Sequence, residues 1–583
     1  MTVQPTPRAI VLAVSVMMRH IADDPVRALT LAWRALPPPL RGWIRFAGPY
    51  GRAAALWGAG DRRAALTALE ARPARLAAFS LAVDQPQVAR SALARLPEGS
   101  GARPRLAARL AYREGRLSDA VRALEGARGW RAARLRRSLR GEIAMLEPGH
   151  LRLDGPAAAR GPAAAPGPAG APAPAPAGGV PGRVLHLVTD ALPSTSAGYT
   201  VRTQQIAVAQ RAAGIDPHVV TRIGFPVTAG VIDGRRLATV DGVPYHRLLP
   251  WVMPGRMDAI AEQGLKRAAR LVRRLEPAVL HAASNYSNAL IALALRDATR
   301  LPVVYEVRGF WEDTWLSRHP ATPGLHDSDR YRRSRALETH CMRAADLVVT
   351  LGEAMREEII GRGVAEDKIV IVPNGVGAEF LEPLPDAAQL RRDLGIGPGE
   401  HVVGLVSSLV AHEGIGTLLE AVKVLGDRGT RVRALIVGDG PERGALQRQA
   451  AALGLDAIFT GRVPMAKVRE YHAVLDVFVV PRTRDRVCQL VTPLKPVEAM
   501  ASGLPVVVSA VRALGEIVKD KVTGMQVPPQ DAAALADCLE ELLASPQFRK
   551  MLGDNAREWA ARDRTWEHNA ARYRDAYARL AAL

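Results

Sequence analysis

The chain has 583 residues, 48% of them apolar, and a formal charge of +20. It is too long for one ordinary domain and rich enough in apolar residues for several cores, so three or four domains are expected. The apolar runs fall short of the roughly 20 residues that a membrane-spanning helix needs. Three scattered cysteines, Cys341, Cys488 and Cys538, build neither a disulfide framework nor a metal knuckle, which suits a reducing cytoplasm.

The segment "AIVLAVSVMM" (9–18), flanked by Arg8 and Arg19, has the outline of a signal peptide. No small-residue cleavage site follows in "RHIADD", so it is expected to stay in the protein. Residues 1–153 carry 26 Arg, no Lys and 11 acidic residues, a charge of +15 that leaves +5 for the rest. Two readings fit this excess: a basic surface for an anionic membrane or a protein partner, or Arg-rich, solvated helix faces. No basic motif interleaved with aromatics occurs, and nucleic acid is not an expected partner.

Within this region "GDRRAALTALE" (60–70), "DQPQVARSALA" (84–94) and "GRLSDAVRALE" (115–125) repeat an Ala-x-x-Ala-Leu pattern. The repeat predicts helices in close approach, either as degenerate tetratricopeptide-like pairs or as an irregular bundle, with no chemistry of their own. Residues 154–182 are nearly all Pro, Ala or Gly and predict a disordered linker.

Beyond the linker the texture changes. Short apolar runs alternate with helical patterns: "VLHLVT", "PHVVT", "AVLHAA", "PVVYEV", "LVVTL" and "KIVIVP", then "HVVGLVS", "RALIVG", "AIFTG", "VFVVP" and "PVVVS". Such runs read as buried parallel strands in two doubly wound, Rossmann-like domains, with ligands in the cleft between them. The α/β part is expected over 183–385 and 386–562, with a final helix over 563–583 crossing back to the first of these domains. The helical region occupies 1–153.

Several segments stand at the predicted strand ends. "HLVTDALPSTSAGYTVRT" places Gly198 in the first strand–helix turn, where backbone N–H groups can approach a phosphate. "HAASNYSNAL" starts at His281 and includes Asn285. "VVYEVRGFWEDTW" puts Glu306, Arg308, Glu312 and Asp313 at the end of an apolar strand, beside Trp311 and Trp315. Four charges there are costly unless paired or used. "GLVSSLVAHEGIG" offers Ser407, Ser408 and His412; "FTGRV" offers Arg462 and Val463. "RVCQLVTPLKPVEAMASG" sets Lys495 three residues before Glu498, with Gln489, Thr492 and Leu494 upstream.

Together these segments resemble the retaining glycosyltransferases of family 4, with their GT-B fold of two Rossmann-like domains. "YEVRGFWED" and "TPLKPVEAMASG" resemble exopolysaccharide-type bacterial members. The resemblance covers residues 183–583. It implies transfer of a sugar from a nucleotide-sugar donor to a lipid-linked or polysaccharide acceptor, without metal or other cofactor. It also implies catalytic roles for Arg308, Glu312 and Lys495, and acceptor-side roles for His281, Asn285 and Trp311. Donor contacts fall to Gly198, Ser407, Ser408, His412, Arg462, Val463, Gln489, Thr492, Leu494 and Glu498, the last holding the ribose.

Three departures from the pattern stand out. An Arg and a Lys that grip the diphosphate in relatives are replaced by Ser408 and Glu413. The first Glu of the paired-Glu motif falls on Leu490, with Gln489 the nearest polar substitute. Arg308 stands where many relatives carry a His. The departures keep two rivals open: an impaired transferase acting as a scaffold through its helical region, and a sugar-nucleotide epimerase or phosphorylase on the same fold. The cytoplasmic location expected above extends, on the basic-surface reading, to the inner face of the membrane.

Overall fold

The computed structural model describes residues 3–37, 41–153, 179–319 and 324–581. Two sheets, parallel except at the β3 edge of the first, form the centre, as the alternating pattern predicts. The first contains β1 (Val180–Val188), β2 (Asp216–Thr221), β3 (Leu237–Val240), β4 (Val243–His246), β5 (Pro277–Ala283), β6 (Val303–Glu306), β7 (Leu347–Thr350) and β8 (Ile369–Ile371). Their spatial order is β3-β4-β2-β1-β5-β6-β7-β8. The second contains β9 (His401–Val406), β10 (Val432–Val437), β11 (Ile458–Gly461), β12 (Val477–Val480), β13 (Val506–Ser509) and β14 (Met525–Val527), in the order β11-β10-β9-β12-β13-β14. Helices cover both faces, so the central strands are buried at nearly every position and read as continuous Val/Leu/Ile runs.

Two features lie outside the predicted series. β3 and β4 pair antiparallel around Asp241 and Gly242, both at positive φ, the Asp-Gly turn of a tight hairpin. β14 is three residues long and adds to the sheet edge beside β13. Of the segment read as linker, residues 154–178 lie outside the described residues. Val180 already opens β1, where it pairs with Pro277.

The helical region forms three successive helix–turn–helix pairs: Gly48–Gly58 with Arg62–Thr67, Pro73–Ala82 with Pro86–Ala94, and Arg103–Arg113 with Leu117–Arg122. The repeat positions Ala65 and Leu69, Ala89 and Ala92, and Ala120 and Leu124 are buried. The small side chains let the backbones of each pair approach. The region packs onto the first sheet domain. Leu117, Met145, Leu146 and Leu151 join the core that holds Leu265, Leu290 and Leu337. Asp329 accepts from the backbone N–H of Leu117 and Ser118, at 2.7 and 2.8 Å, and so satisfies the open end of a helix from the other region. The last helix, Trp566–Ala581, lays Trp566, Ala570, Tyr573 and Ala576 against Val184, Val201 and Ile206 of the first sheet domain.

Candidate functional site

The carboxyl ends of the two sheets face each other across a cavity of about 240 Å³. Its wall takes Gly198, Tyr199, Arg202 and Arg308 from the first domain and Ser407, Ser408, Glu413 and Arg482 from the second. The segment Val491–Pro496 closes it. Most of these residues lie on the segments that follow the strands, because backbone that leaves a parallel sheet at its carboxyl end must turn there, and Arg202 reaches the wall from the second turn of the helix Gly198–Ala212.

At the end of β6, Glu306 is fully buried and ionised. Burial by itself raises its pKa, but Arg308 and Arg202 outweigh that and hold the carboxyl well below its usual range. Arg202 Nε donates to Oε1 at 2.8 Å and Arg308 to Oε2 at 2.7 Å. The Tyr573 hydroxyl donates at 3.0 Å, and His281 Nε2 lies 3.1 Å from Oε2. Burial lowers the His281 pKa ahead of the opposing Glu306, so the ring is neutral. Its Nδ1 is 2.7 Å from the Tyr577 hydroxyl. Arg202 also donates to the carbonyls of Pro373 and Val372 and to Asn374 Oδ1. Asn374 in turn donates to the Thr492 carbonyl of the second domain at 2.9 Å.

The Arg308 guanidinium thus has two partners besides Glu306, the Tyr199 carbonyl and Thr203 Oγ1, at 2.9 and 2.7 Å. Its Nε is buried without a hydrogen-bond partner. The buried Thr492 Oγ1 is likewise unsatisfied. Both residues line the cavity.

In the second domain Arg482 donates to Glu413 Oε1 at 2.7 Å and to the Val491 carbonyl at 3.0 Å. A cation from just past the end of β12 therefore neutralises this carboxylate. Gly414, at φ +66, holds the turn after Glu413, where a Cβ would strike the Pro481 carbonyl. Lys495 Nζ lies 2.9 Å from Glu498 Oε2, and Glu498 is buried directly behind it. Around the cavity four cations stand against three carboxylates, Glu306, Glu413 and Glu498. Among the described residues no cluster of three or more His, Cys, Asp or Glu side chains is arranged to hold a metal.

Of the residues singled out from sequence, Gly198, Arg308, Ser407, Ser408, Thr492, Leu494 and Lys495 line the cavity. Glu498 and His281 stand one layer behind, through Lys495 and Glu306. The others lie elsewhere. Glu312 points into the interior, bonded to Arg362 at 2.6 Å, because the helix Trp311–Ser317 turns it away from the cleft. Trp311 is on the surface beside Tyr286, ring centroids 5.8 Å apart, and Asn285 caps the helix Tyr286–Thr299. The His412 carbonyl accepts from Thr483 and Cys488, and its ring is outside the cavity wall. Gln489 Oε1 accepts from the Arg512 N–H, while Arg462 and Val463 follow β11 at a distance from the wall.

Arg202, Tyr199 and Arg482 were not singled out from sequence. Arg202 sits four residues after Gly198 on the same helix face, and Arg482 follows "VFVVP" directly. A cation two residues past a buried strand was the available signal for Arg482, and a cation one helical turn after the glycine of the first strand–helix turn was the signal for Arg202. Asn374 joins the two domains through its contacts to Arg202 and the Thr492 carbonyl.

Residues 386–559 match the family described as glycosyl transferases group 1, and residues 197–375 match a glycosyl transferase 4-like domain. The GDP-mannose-dependent alpha-(1-6)-phosphatidylinositol monomannoside mannosyltransferase of Mycolicibacterium smegmatis is 32% identical over 233 residues, 39% of this chain and 61% of that protein. The chain thus spans about three fifths of that relative's length. The D-inositol 3-phosphate glycosyltransferase of Nocardia farcinica is 27% identical over 394 residues, 65% of this chain and 83% of that protein. Among solved structures, a sucrose-phosphate synthase from Thermosynechococcus elongatus superposes with a TM-score of 0.57 at 21% identity, covering 69% of this chain and 99% of that one. The Anabaena HepE protein in complex with UDP and glucose gives a TM-score of 0.53 at 19% identity, covering 68% and 99%. At these identities the structural likeness speaks for the fold.

Proposed function

We propose that the chain, whose two sheet domains match glycosyl transferase family models over residues 197–375 and 386–559, moves a hexose from a nucleotide-sugar donor to a hydroxyl of a lipid-linked or polysaccharide acceptor, with retention at the anomeric carbon. The convergence of basic side chains and unsatisfied donors on one interdomain cavity carries this assignment. The N-terminus of the fifteen-residue helix Gly198–Ala212 opens onto the cavity and adds partial positive charge. Lys495, Arg308 and the backbone at Ser407–Ser408 surround the space a diphosphate needs. The buried Thr492 hydroxyl supplies a further polar contact.

In this reaction the bond from the anomeric carbon to the diphosphate oxygen breaks. A bond from the same carbon to the acceptor oxygen forms on the same face. The acceptor proton passes to the departing diphosphate. The side chains of this protein bind and orient: Lys495 and Arg308 stabilise the negative charge that grows on the leaving group, and Glu498, behind the wall instead of at the ribose, holds Lys495 in place. Arg482 keeps Glu413 from repelling the diphosphate. Glu306 and His281 are positioning residues that act through Arg308.

The test is calorimetric titration with a panel of nucleoside diphosphates and nucleotide sugars, wild type beside Glu498→Gln. One donor class is expected to bind, with at least about tenfold weaker binding in the variant, or about 1.4 kcal/mol. Nuclear magnetic resonance of the product anomer then reads retention. Folded protein that binds no member of the panel would refute a donor site in this cavity.

A further inference from the structure

The helix Pro7–Asp23 has two apolar faces. Thr6 caps it and Pro7 occupies its first turn. Its inner face places Ala9 and Leu12 against Ile223, Val227, Leu249 and Met253 of the first sheet domain. Ser15 Oγ accepts from the Met253 N–H at 3.2 Å, and Arg19 donates to the Pro254 carbonyl at 3.1 Å. The helix is therefore held against the body of the protein by one side.

The other side is bare. Ile10, Val11, Val14, Met17, Met18 and Ile21 recur at helical spacing and are each 42–56% exposed. The loop that grips the helix adds Trp251 and Val252, 52% and 57% exposed. The Arg8 guanidinium lies 4.8 Å from the Trp251 ring centroid, which joins the two parts into one surface. An apolar stripe of this length left open on a water-soluble face is unusual and marks a docking surface.

Charge says what docks. Residues 1–22 contain Arg8 and Arg19 and no acidic residue. Arg236 and Arg267 stand close by, and the like charge of Arg236 adds to burial in lowering the Arg8 pKa. None of Arg8, Arg236 and Arg267 forms an ion pair among the described residues, and Arg267 Nε is buried without a hydrogen-bond partner. Lys266 and Arg270 on the next helix are exposed. An apolar strip edged by unpaired cations, with a tryptophan at its border, matches the boundary between anionic headgroups and acyl chains. Among the described residues no helix is long and apolar enough to cross a membrane.

We propose that the outer face of helix Pro7–Asp23, with Trp251 and Val252, is an anionic-membrane docking surface on which the protein lies without spanning the bilayer. The surface is independent of the nucleotide-sugar assignment and is tested separately from it.

The test is flotation of the full chain with vesicles of phosphatidylcholine alone and of equal parts phosphatidylcholine and phosphatidylglycerol. Wild type is expected to float with the anionic vesicles and to be released by high salt. The Val14→Glu, Met17→Glu, Met18→Glu variant is expected to partition at least about tenfold less, because it charges the face that must enter the lipid. These side chains are exposed, so thermal unfolding of the variant should match wild type. If it does not, the milder Met17→Gln, Met18→Gln pair serves, with a smaller loss expected. Wild type that stays unbound on anionic vesicles overturns the proposal, and so does equal flotation of wild type and the folded variants. Concentration-dependent self-association without lipid, abolished by the same substitutions, would instead assign the face to a second copy of this chain.

Discussion

Each buried charge near the cavity has a counter-charge, and the pairs fail in different ways. Glu413 is tolerable because Arg482 covers it. Replacing Arg482 with Met leaves a desolvated carboxylate facing the diphosphate site. We expect Arg482→Met to cost about 3 kcal/mol of stability and at least about tenfold in donor affinity. Adding Glu413→Gln should return most of both, and denaturant unfolding with calorimetry of the four species in a double-mutant cycle measures it. A second buried pair lies behind the cleft. Burial pushes the Glu338 carboxyl up to about 8, the neighbouring Glu312 adds to the rise, and the Tyr305 hydroxyl and Tyr286 N–H donate to it. The folded state thus holds this proton where the unfolded chain, with an ordinary value of 4.5, releases it. The stability contributed is complete below that value and is lost as pH rises towards about 8. Melting temperature from pH 5 to 8 should fall more steeply for wild type than for Glu338→Gln.

At the level of the element, the turn before the helix Ile415–Asp427 shows how a small residue positions a charged one. Gly414 adopts φ +66, and its missing Cβ is the space that the Pro481 carbonyl occupies. Gly414→Ala combines a left-handed backbone with a steric clash, and a loss of about 2–3 kcal/mol is expected in denaturant unfolding. Because Glu413 would shift away from Arg482, donor affinity should fall as well. The sequence made the strands legible as runs such as "ALIVG" and "VFVVP", since a parallel strand buried on both faces has no polar phase to obscure it. β3 and β4 escaped because the exposed Leu237 and Thr239 break the run, although Asp241-Gly242 marked the hairpin. The Ala-x-x-Ala-Leu repeats marked the second helix of each N-terminal pair. They left its partner unmarked, because the partner packs without the motif.

At the scale of the whole molecule, the stretch "RVCQLV" is an interdomain dock. Leu490 enters the core of the first sheet domain, and Arg486 bonds to Asp313 at 3.1 Å and Glu358 at 2.7 Å across the cleft. Glu516 accepts from the Glu353 and Ala354 N–H groups, at 2.7 and 2.6 Å, and so caps a helix of the opposite domain. These contacts hold the cleft closed over the cavity. Arg486→Ala together with Glu516→Ala should open it. A larger radius of gyration by small-angle X-ray scattering is expected, with a smaller increase when the donor nucleotide is bound. An unchanged radius would mean that the Leu490 and Asn374 contacts suffice for closure.

The sequence by itself determined the layered architecture, the strand ends that face the cleft, and the presence of Lys495, Arg308 and Gly198 among the cavity residues. Local pattern and strand burial are properties of neighbouring residues, and a parallel sheet places its functional loops at one end regardless of detail. Only the tertiary structure decided which charges face the cavity and which serve the interior. Glu306, Arg308, Glu312 and Asp313 lie within eight residues of each other, yet Arg308 reaches the cleft while Glu312 turns to Arg362. That choice depends on partners up to some 370 residues away, such as Tyr573 bonding to Arg202. Desolvation energies are settled by whichever side chains the fold brings into contact, and sequence separation carries no record of them.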